Sequence, residues 1–293
     1  MRVLITGSGG QVGRELVRAA PPDAEVCAFN RGELDISDGT AVQAIVKEFA
    51  PTVIINAAAY TAVDRAESER DLAWQVNALA PQRLAEAAAA QGHCRLIHIS
   101  TDYVFSGESP HPYGIDAEPG PINEYGRSKL EGERAVLKTL GGRAAVVRSS
   151  WIYGSRGRNF LLTMLRLMRE TRAVRVVADQ MGSPTSAASL ARALWTIAGR
   201  PGLSGVHHWT DAGVASWYDF AVAIANEGAA AGLVPAGIEV SPIATEDYPT
   251  PARRPACSLL DKRHTIAALG AGPEHWARSL KATLQSMLSV QGP

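Results

Sequence analysis

Tyr125 and Lys129 stand four residues apart in the run Tyr125-Gly126-Arg127-Ser128-Lys129. On a helix that spacing puts both side chains on one face. A positive charge beside a phenol favours tyrosinate and draws its pKa down from about 10. A tyrosine so placed can protonate a carbonyl oxygen as hydride arrives, or take the proton back in the reverse direction. The chain has 7 Tyr and 5 Lys, so only about 0.1 pair at this spacing is expected by chance. An exposed helical pair is the competing reading of these two residues alone. Thr101 separates the readings. It ends the run His98-Ile99-Ser100-Thr101, and ligands of open α/β sheets bind outside the carboxyl ends of strands. From there its hydroxyl can bond the same carbonyl oxygen. A Thr at a strand end followed by Tyr-x-x-x-Lys on the next helix is far more specific than either part.

A second constellation lies near the start of the chain, where Gly7, Gly10 and Gly13 give the spacing G-x-x-G-x-x-G directly after an apolar run. Gly7 permits a tight turn, Gly10 lets the backbone approach a pyrophosphate, and Gly13 lets a helix pack close to a strand. The free N–H groups at that helix start then offer a seat for a diphosphate. Between a strand and a helix this is one of the stronger forms of the dinucleotide signal. An NAD-selective site would end the second strand on an acid, whereas here it ends Phe29-Asn30-Arg31. The cation tilts the expectation to NADPH, with NADH left open. Asp35 and Ile36 follow in the next loop, where an acid can meet an adenine amino group.

These residues need a scaffold that brings strand ends together. Strands are expected at Arg2–Thr6, Glu25–Phe29, Thr52–Asn56, Arg95–Ser100 and Ala144–Ser149. Runs such as VLIT and VIIN are continuously apolar, as strands covered by helices on both faces require. Helices are expected at Gln11–Ala20, Thr40–Phe49, Asp71–Ala90 and Tyr125–Leu140. The alternation predicts an α/β fold, a Rossmann-type doubly wound parallel sheet, with a smaller α/β substrate-binding domain. Residues 1–150 form the expected NAD(P)-binding domain, with later returns at about 179–210. Residues 151–293 form most of the substrate domain, interleaved with the first. Its expected elements are helices Asn159–Glu170, Ser186–Ala198, Ser216–Ala230 and Glu274–Leu288, and a strand Ala173–Ala178. The stretch Tyr248–Pro255, YPTPARRP, reads as a rigid loop.

Composition bounds the function. Of 293 residues, 29 are Lys or Arg and 29 are Asp or Glu. The absence of a basic excess argues against nucleic-acid binding. No apolar run reaches the ~18 residues of a membrane helix, and the start lacks a signal-peptide core. Cys27, Cys94 and Cys257 are far apart and read as reduced thiols, so a soluble, cytoplasmic protein is expected. His207 and His208 are adjacent and so point to opposite faces of a strand; with no H-x₃-H or HExxH spacing, no metal is expected. Asn77, in a helix interior, reads equally as a structural hydrogen-bonder or a surface residue.

The fold pattern with Thr101, Tyr125 and Lys129 resembles the extended short-chain dehydrogenases/reductases. Within them the wording is closest to the dTDP-4-dehydrorhamnose reductase family. The matching pieces are Gly10–Gly13, Asn56–Asp64, Ser100–Phe105, Tyr125–Glu133, Asp179–Thr185 and Pro249–Pro255. The resemblance implies nucleotide contacts at Gln11, Val12, Gly13, Asn30, Asp35, Ile36, Ala58, Ala59, Tyr60 and Ile99. It makes Tyr125 the proton donor and gives Lys129 the nicotinamide ribose. Thr101, Asp102 and Trp151 face the sugar, with Val63 and Arg254 as weaker candidates, the arginine for a diphosphate. The implied reaction is reduction of the C4 keto group of dTDP-4-dehydro-β-L-rhamnose, in a monomer or homodimer. Sugar 4,6-dehydratases need an Asp-Glu pair after the threonine, but here Asp102 is followed by Tyr103. Another NDP-4-keto-sugar reductase or epimerase stays open. So does a non-catalytic role like that of the regulatory subunit of methionine adenosyltransferase, against which the intact Thr101/Tyr125/Lys129 set weighs. Some relatives pair subunits through Mg²⁺ and glutamates; Ser186-Ala187-Ala188-Ser189 carries no carboxylate, so no metal is carried over.

Overall fold

The computed structural model describes residues 1–289. Five strands, β1 (Arg2–Thr6), β2 (Glu25–Phe29), β3 (Val53–Asn56), β4 (Arg95–Thr101) and β5 (Ala144–Ser149), form the expected parallel sheet. A sixth strand, Gly205–His208, joins its edge beside β5, giving the order Gly205–His208, β5, β4, β3, β1, β2. Successive side chains serve opposite layers. Val3, Ile5, Val53, Ile55, Ile97 and Val147 pack under helices Gln11–Arg18 and Ala187–Ala198. Leu4, Ile54, Leu96 and Ala144 pack on the other face, against helices Gly39–Phe49, Ala80–Ala90 and Glu124–Leu140. Each of these Val, Leu and Ile side chains contributes roughly 1.5–3 kcal/mol by its burial.

The expected helix Asp71–Ala90 is broken. Arg70–Trp74 is α-helical, Gln75–Leu79 is a π-turn, and Ala80–Ala90 resumes the α-helix. A π-turn inserts a residue and re-aims its neighbours. Here it lies against the Glu124–Leu140 helix so closely that a Cβ on Gly132 would be 2.1 Å from the Asn77 carbonyl oxygen.

A second cluster gathers the C-terminal elements. Helices Phe160–Thr171, Trp217–Ala230 and Trp276–Ser289 surround a parallel pair, Ala173–Val177 and Glu239–Ile243. The Glu239–Ile243 strand is absent from the sequence reading; it carries Pro242, a residue that sheets confine to edges, and here it is the edge of a two-stranded pair. Among the described residues, no helix is long and apolar enough to cross a membrane.

Candidate active site

The Glu124–Leu140 helix starts where its cap residue dictates. Asn123 accepts a hydrogen bond from the Gly126 N–H at 2.8 Å, satisfying one free donor of the first turn. Tyr125 therefore falls in that first turn and Lys129 one turn later, both buried. Gly126 seats the turn against the Tyr103 carbonyl oxygen, 2.1 Å from where its Cβ would be. Thr101, at the end of β4, accepts from the Tyr103 N–H at 3.2 Å and donates to Asp102 Oδ1 at 3.0 Å. Thr101, Asp102, Tyr103, Tyr125 and Lys129 line one cavity of about 570 Å³.

The electrostatics differ from the sequence expectation. Burial pushes the Tyr125 phenol up to about 12, and its hydrogen bond with Thr101 offsets this only in part. Burial likewise draws Lys129 down to about 8, against the Glu133 carboxylate. Desolvation dominates the phenol, Asp102 adds to the rise, and Thr101 rather than the ammonium supplies the opposing effect. At neutral pH Tyr125 is a phenol with a proton to give. Burial also raises Asp102 to about 6.

A second cavity of about 420 Å³ continues the first, sharing Gly9, Gly10 and Ala57–Ala59. It collects Gly7, Asn30, Arg31, Asp35, Ile36 and Tyr60, while Gln11, Val12, Ile99, Val63 and Trp151 line the first cavity. The joined groove lies at the strand ends, where open α/β sheets hold dinucleotides, and its volume is of the size of a small-molecule site. Gly7 has φ +74°, and a Cβ there would be 2.6 Å from the Ala58 nitrogen. Gly13 lines neither cavity; a Cβ on it would be 2.1 Å from the Gly7 carbonyl oxygen. A Gly13→Ala substitution is therefore expected to displace the turn, costing roughly 1–3 kcal/mol of stability. NADPH affinity, measured by calorimetric titration, is expected to fall at least about tenfold.

Asn77 resolves to the structural reading. It is fully buried, accepts from the Tyr60 N–H at 2.8 Å and donates to the Tyr60 carbonyl at 3.0 Å and Ser128 Oγ at 3.1 Å. The π-turn is what aims it there. Tyr60 in turn donates from its hydroxyl to Glu69 at 2.6 Å.

Trp151 has φ +48°, a conformation a bulky residue adopts only when its surroundings enforce it. Its ring stacks on Trp217 with centroids 3.5 Å apart at 7°. A Cβ on Gly182 would come 2.5 Å from the same ring. Trp217 escaped the sequence reading; its only signal was a tryptophan opening a helix, with 6 Trp in the chain. Arg254 departs from its expected place. Its guanidinium bonds both oxygens of Asp64, at 3.0 and 2.8 Å, and also contacts Thr250. It pins the proline-rich loop to the short helix Val63–Ala66 and lines neither cavity. A charge already neutralised at close range has little left for a diphosphate. The cysteines are unpaired, and no group of three or more metal-type side chains lies together among the described residues.

Comparisons with known proteins agree on one family. A family model described as "RmlD substrate binding domain" matches residues 1–289. A dTDP-4-dehydrorhamnose reductase of Aggregatibacter actinomycetemcomitans is 44% identical, over 96% of this chain and 97% of that one. A probable dTDP-4,6-dihydroxy-2-methyloxan-3-one 4-ketoreductase of Streptomyces antibioticus is 38% identical, over 100% and 98%. The crystal structure of a Bacillus anthracis dTDP-4-dehydrorhamnose reductase in complex with NADP superposes with a TM-score of 0.91 at 37% identity. It covers 97% of this chain and 99% of that one.

Proposed function

The chain belongs to the dTDP-4-dehydrorhamnose reductase family, and from that premise we propose that it reduces the C4 keto group of dTDP-4-dehydro-β-L-rhamnose to dTDP-β-L-rhamnose, with NADPH as reductant. The observation that carries this reading is the buried Thr101, Tyr125 and Lys129 set in a cavity continuous with the glycine turn. Reduction of a ketone needs a hydride at carbon and a proton at oxygen. A reduced nicotinamide held in the groove supplies the hydride. Tyr125, a phenol at neutral pH, supplies the proton to O4 and becomes a phenolate. Thr101 bonds the same oxygen and orients the carbonyl. Lys129 is assigned to the nicotinamide ribose hydroxyls and to the charge left on Tyr125. Arg31, exposed at the end of β2, is a fitting partner for a 2′-phosphate. Ala58, Ala59 and Ile99 form apolar wall, and Trp151 with Trp217 gives the sugar an aromatic edge.

The similarity to the Streptomyces ketoreductase favours, as a second reading, another dTDP-4-keto sugar on the same machinery. The test is oxidation of NADPH and NADH against a panel of dTDP- and GDP-4-keto sugars. Selective consumption of one equivalent of NADPH with dTDP-4-dehydro-β-L-rhamnose is expected. Interconversion of C4 epimers without net oxidation would make it an epimerase, and no oxidation with any sugar would make it a regulatory subunit. We place it in the cytoplasm, as a monomer or homodimer.

A further inference from the structure

Behind the catalytic lysine, three polar side chains lie side by side across the sheet. Thr6, Asn56 and His98 are register partners on β1, β3 and β4, and all three are buried. Their hydrogen bonds fix one direction. Asn56 Oδ1 accepts from the Ala58 backbone N–H at 3.1 Å and from Thr6 Oγ1 at 2.7 Å. A backbone N–H can only donate, so the oxygen of the Asn56 amide is identified by its partner. Asn56 Nδ2 therefore donates to His98 Nδ1, 3.0 Å away. With Nδ1 accepting, the neutral imidazole carries its hydrogen on Nε2, and Nε2 lies 3.3 Å from Lys129 Nζ.

The valences of these contacts bias the state of the lysine. Lys129 Nζ also donates to the Ile99 carbonyl at 2.7 Å. An ammonium has three N–H bonds and no lone pair, so an Nε2–H would meet a group that cannot accept it. An amine closes the set, with one lone pair for Nε2–H, one N–H for Ile99 and one for the cavity. We propose that His98 is a positioning residue for the reduction, whose Nε2–H, fixed by Asn56, favours the amine form of Lys129 and so makes its ammonium a stronger acid.

This inference rests on the reductase reading and deepens it. After Tyr125 has given its proton to O4, the ammonium of Lys129 returns one to the phenolate, directly or through an intervening hydroxyl. The resulting amine accepts from His98 and regains a proton from water. His98 makes that ammonium a stronger acid. The surrounding charges bear on it from several elements. Glu133, on the lysine's own helix, favours the ammonium but is itself paired with Arg148 of β5. Asp102, in the turn after β4, acts on Tyr125, which shares the helix with Lys129. His98 itself is kept from protonating by burial and, while Lys129 is an ammonium, by that charge.

Two substitutions reverse the donor. His98→Gln offers a carbonyl to Nζ. Asn56→Asp puts an acceptor where Nδ2 donated, which moves the ring hydrogen to Nδ1 and leaves Nε2 free to accept. The chain has five lysines, so ¹⁵N-lysine NMR of the protein without ligands can follow each one. Both variants are expected to raise the Lys129 midpoint by about one pH unit or more. The high-pH limb of kcat, where the ammonium is lost, is expected to move up with it. In the unsubstituted protein, ¹⁵N shifts of His98 are expected to show Nε2 protonated and Nδ1 not, which needs no variant to fold. A protonated Nδ1, or a midpoint and limb unmoved within about 0.3 unit, would overturn the proposal. Absence of ketoreduction by the unsubstituted chain would sink the reductase reading instead, and the NMR midpoints would still judge His98.

Discussion

Tyr125→Phe is expected to lose about 10²- to 10⁴-fold in kcat while binding NADPH as the unsubstituted chain does. The substitution removes one oxygen from a buried ring and leaves its packing, including the edge-on contact with Tyr103 at 5.6 Å. What disappears, on the proposed mechanism, is the proton source for O4. Because burial holds Tyr125 up to about 12, its proton is present throughout the physiological range, so the loss should not vary with pH between about 6 and 8. Steady-state turnover of the purified variant, beside NADPH titration, separates the two effects. Near-normal kcat would assign the proton to another group.

Glu133→Ala is expected to be the most damaging single change to stability outside the glycines. The Glu133 carboxylate takes Arg148 Nε at 3.0 and 3.1 Å and Nη2 at 2.7 Å. The two side chains are only 2% and 5% exposed, and the guanidinium lies 5.0 Å over the Phe105 ring. Removing the carboxylate strands a cation in the interior at a cost of about 3–5 kcal/mol. That is a large part of the roughly 5–15 kcal/mol a folded domain has. Glu170→Ala, which breaks the exposed pair with Arg166, is expected to cost less than about 1 kcal/mol. Urea unfolding of both variants makes the comparison. Similar midpoints would mean that water reaches Arg148.

The parts of this molecule that a sequence shows are those whose cause is local. Strands β1 to β5 are legible because their apolar runs are continuous, and the glycine turn because no side chain fits at Gly7 or Gly13. Tyr125 and Lys129 are legible because four residues make one helical turn. Other features depend on partners distant in the chain. Gly205–His208 is short and half histidine, so nothing in its composition marks it as a sheet strand; β5 supplies the reason. The π-turn at Gln75–Leu79 exists where Asn77 meets Tyr60 and Ser128, which a pattern of Ala and Leu cannot show. Trp217 reaches Trp151 across 66 positions. The protonation of Tyr125 also misled at the level of sequence, since a charged neighbour is visible there and desolvation is not.

The sheet's sixth strand bears on how the chain acquires its shape during synthesis. When residue 150 has left the ribosome, β5 is an open edge with unpaired backbone groups, and the faces of Val3, Ile55 and Val147 lack the Ala187–Ala198 helix. Both gaps close only when the chain has grown past His208. Until then the nascent sheet is a sticky intermediate, able to pair with another nascent chain through β5. Stop codons or long pauses between residues 150 and 208 should therefore yield aggregates rather than a smaller working unit.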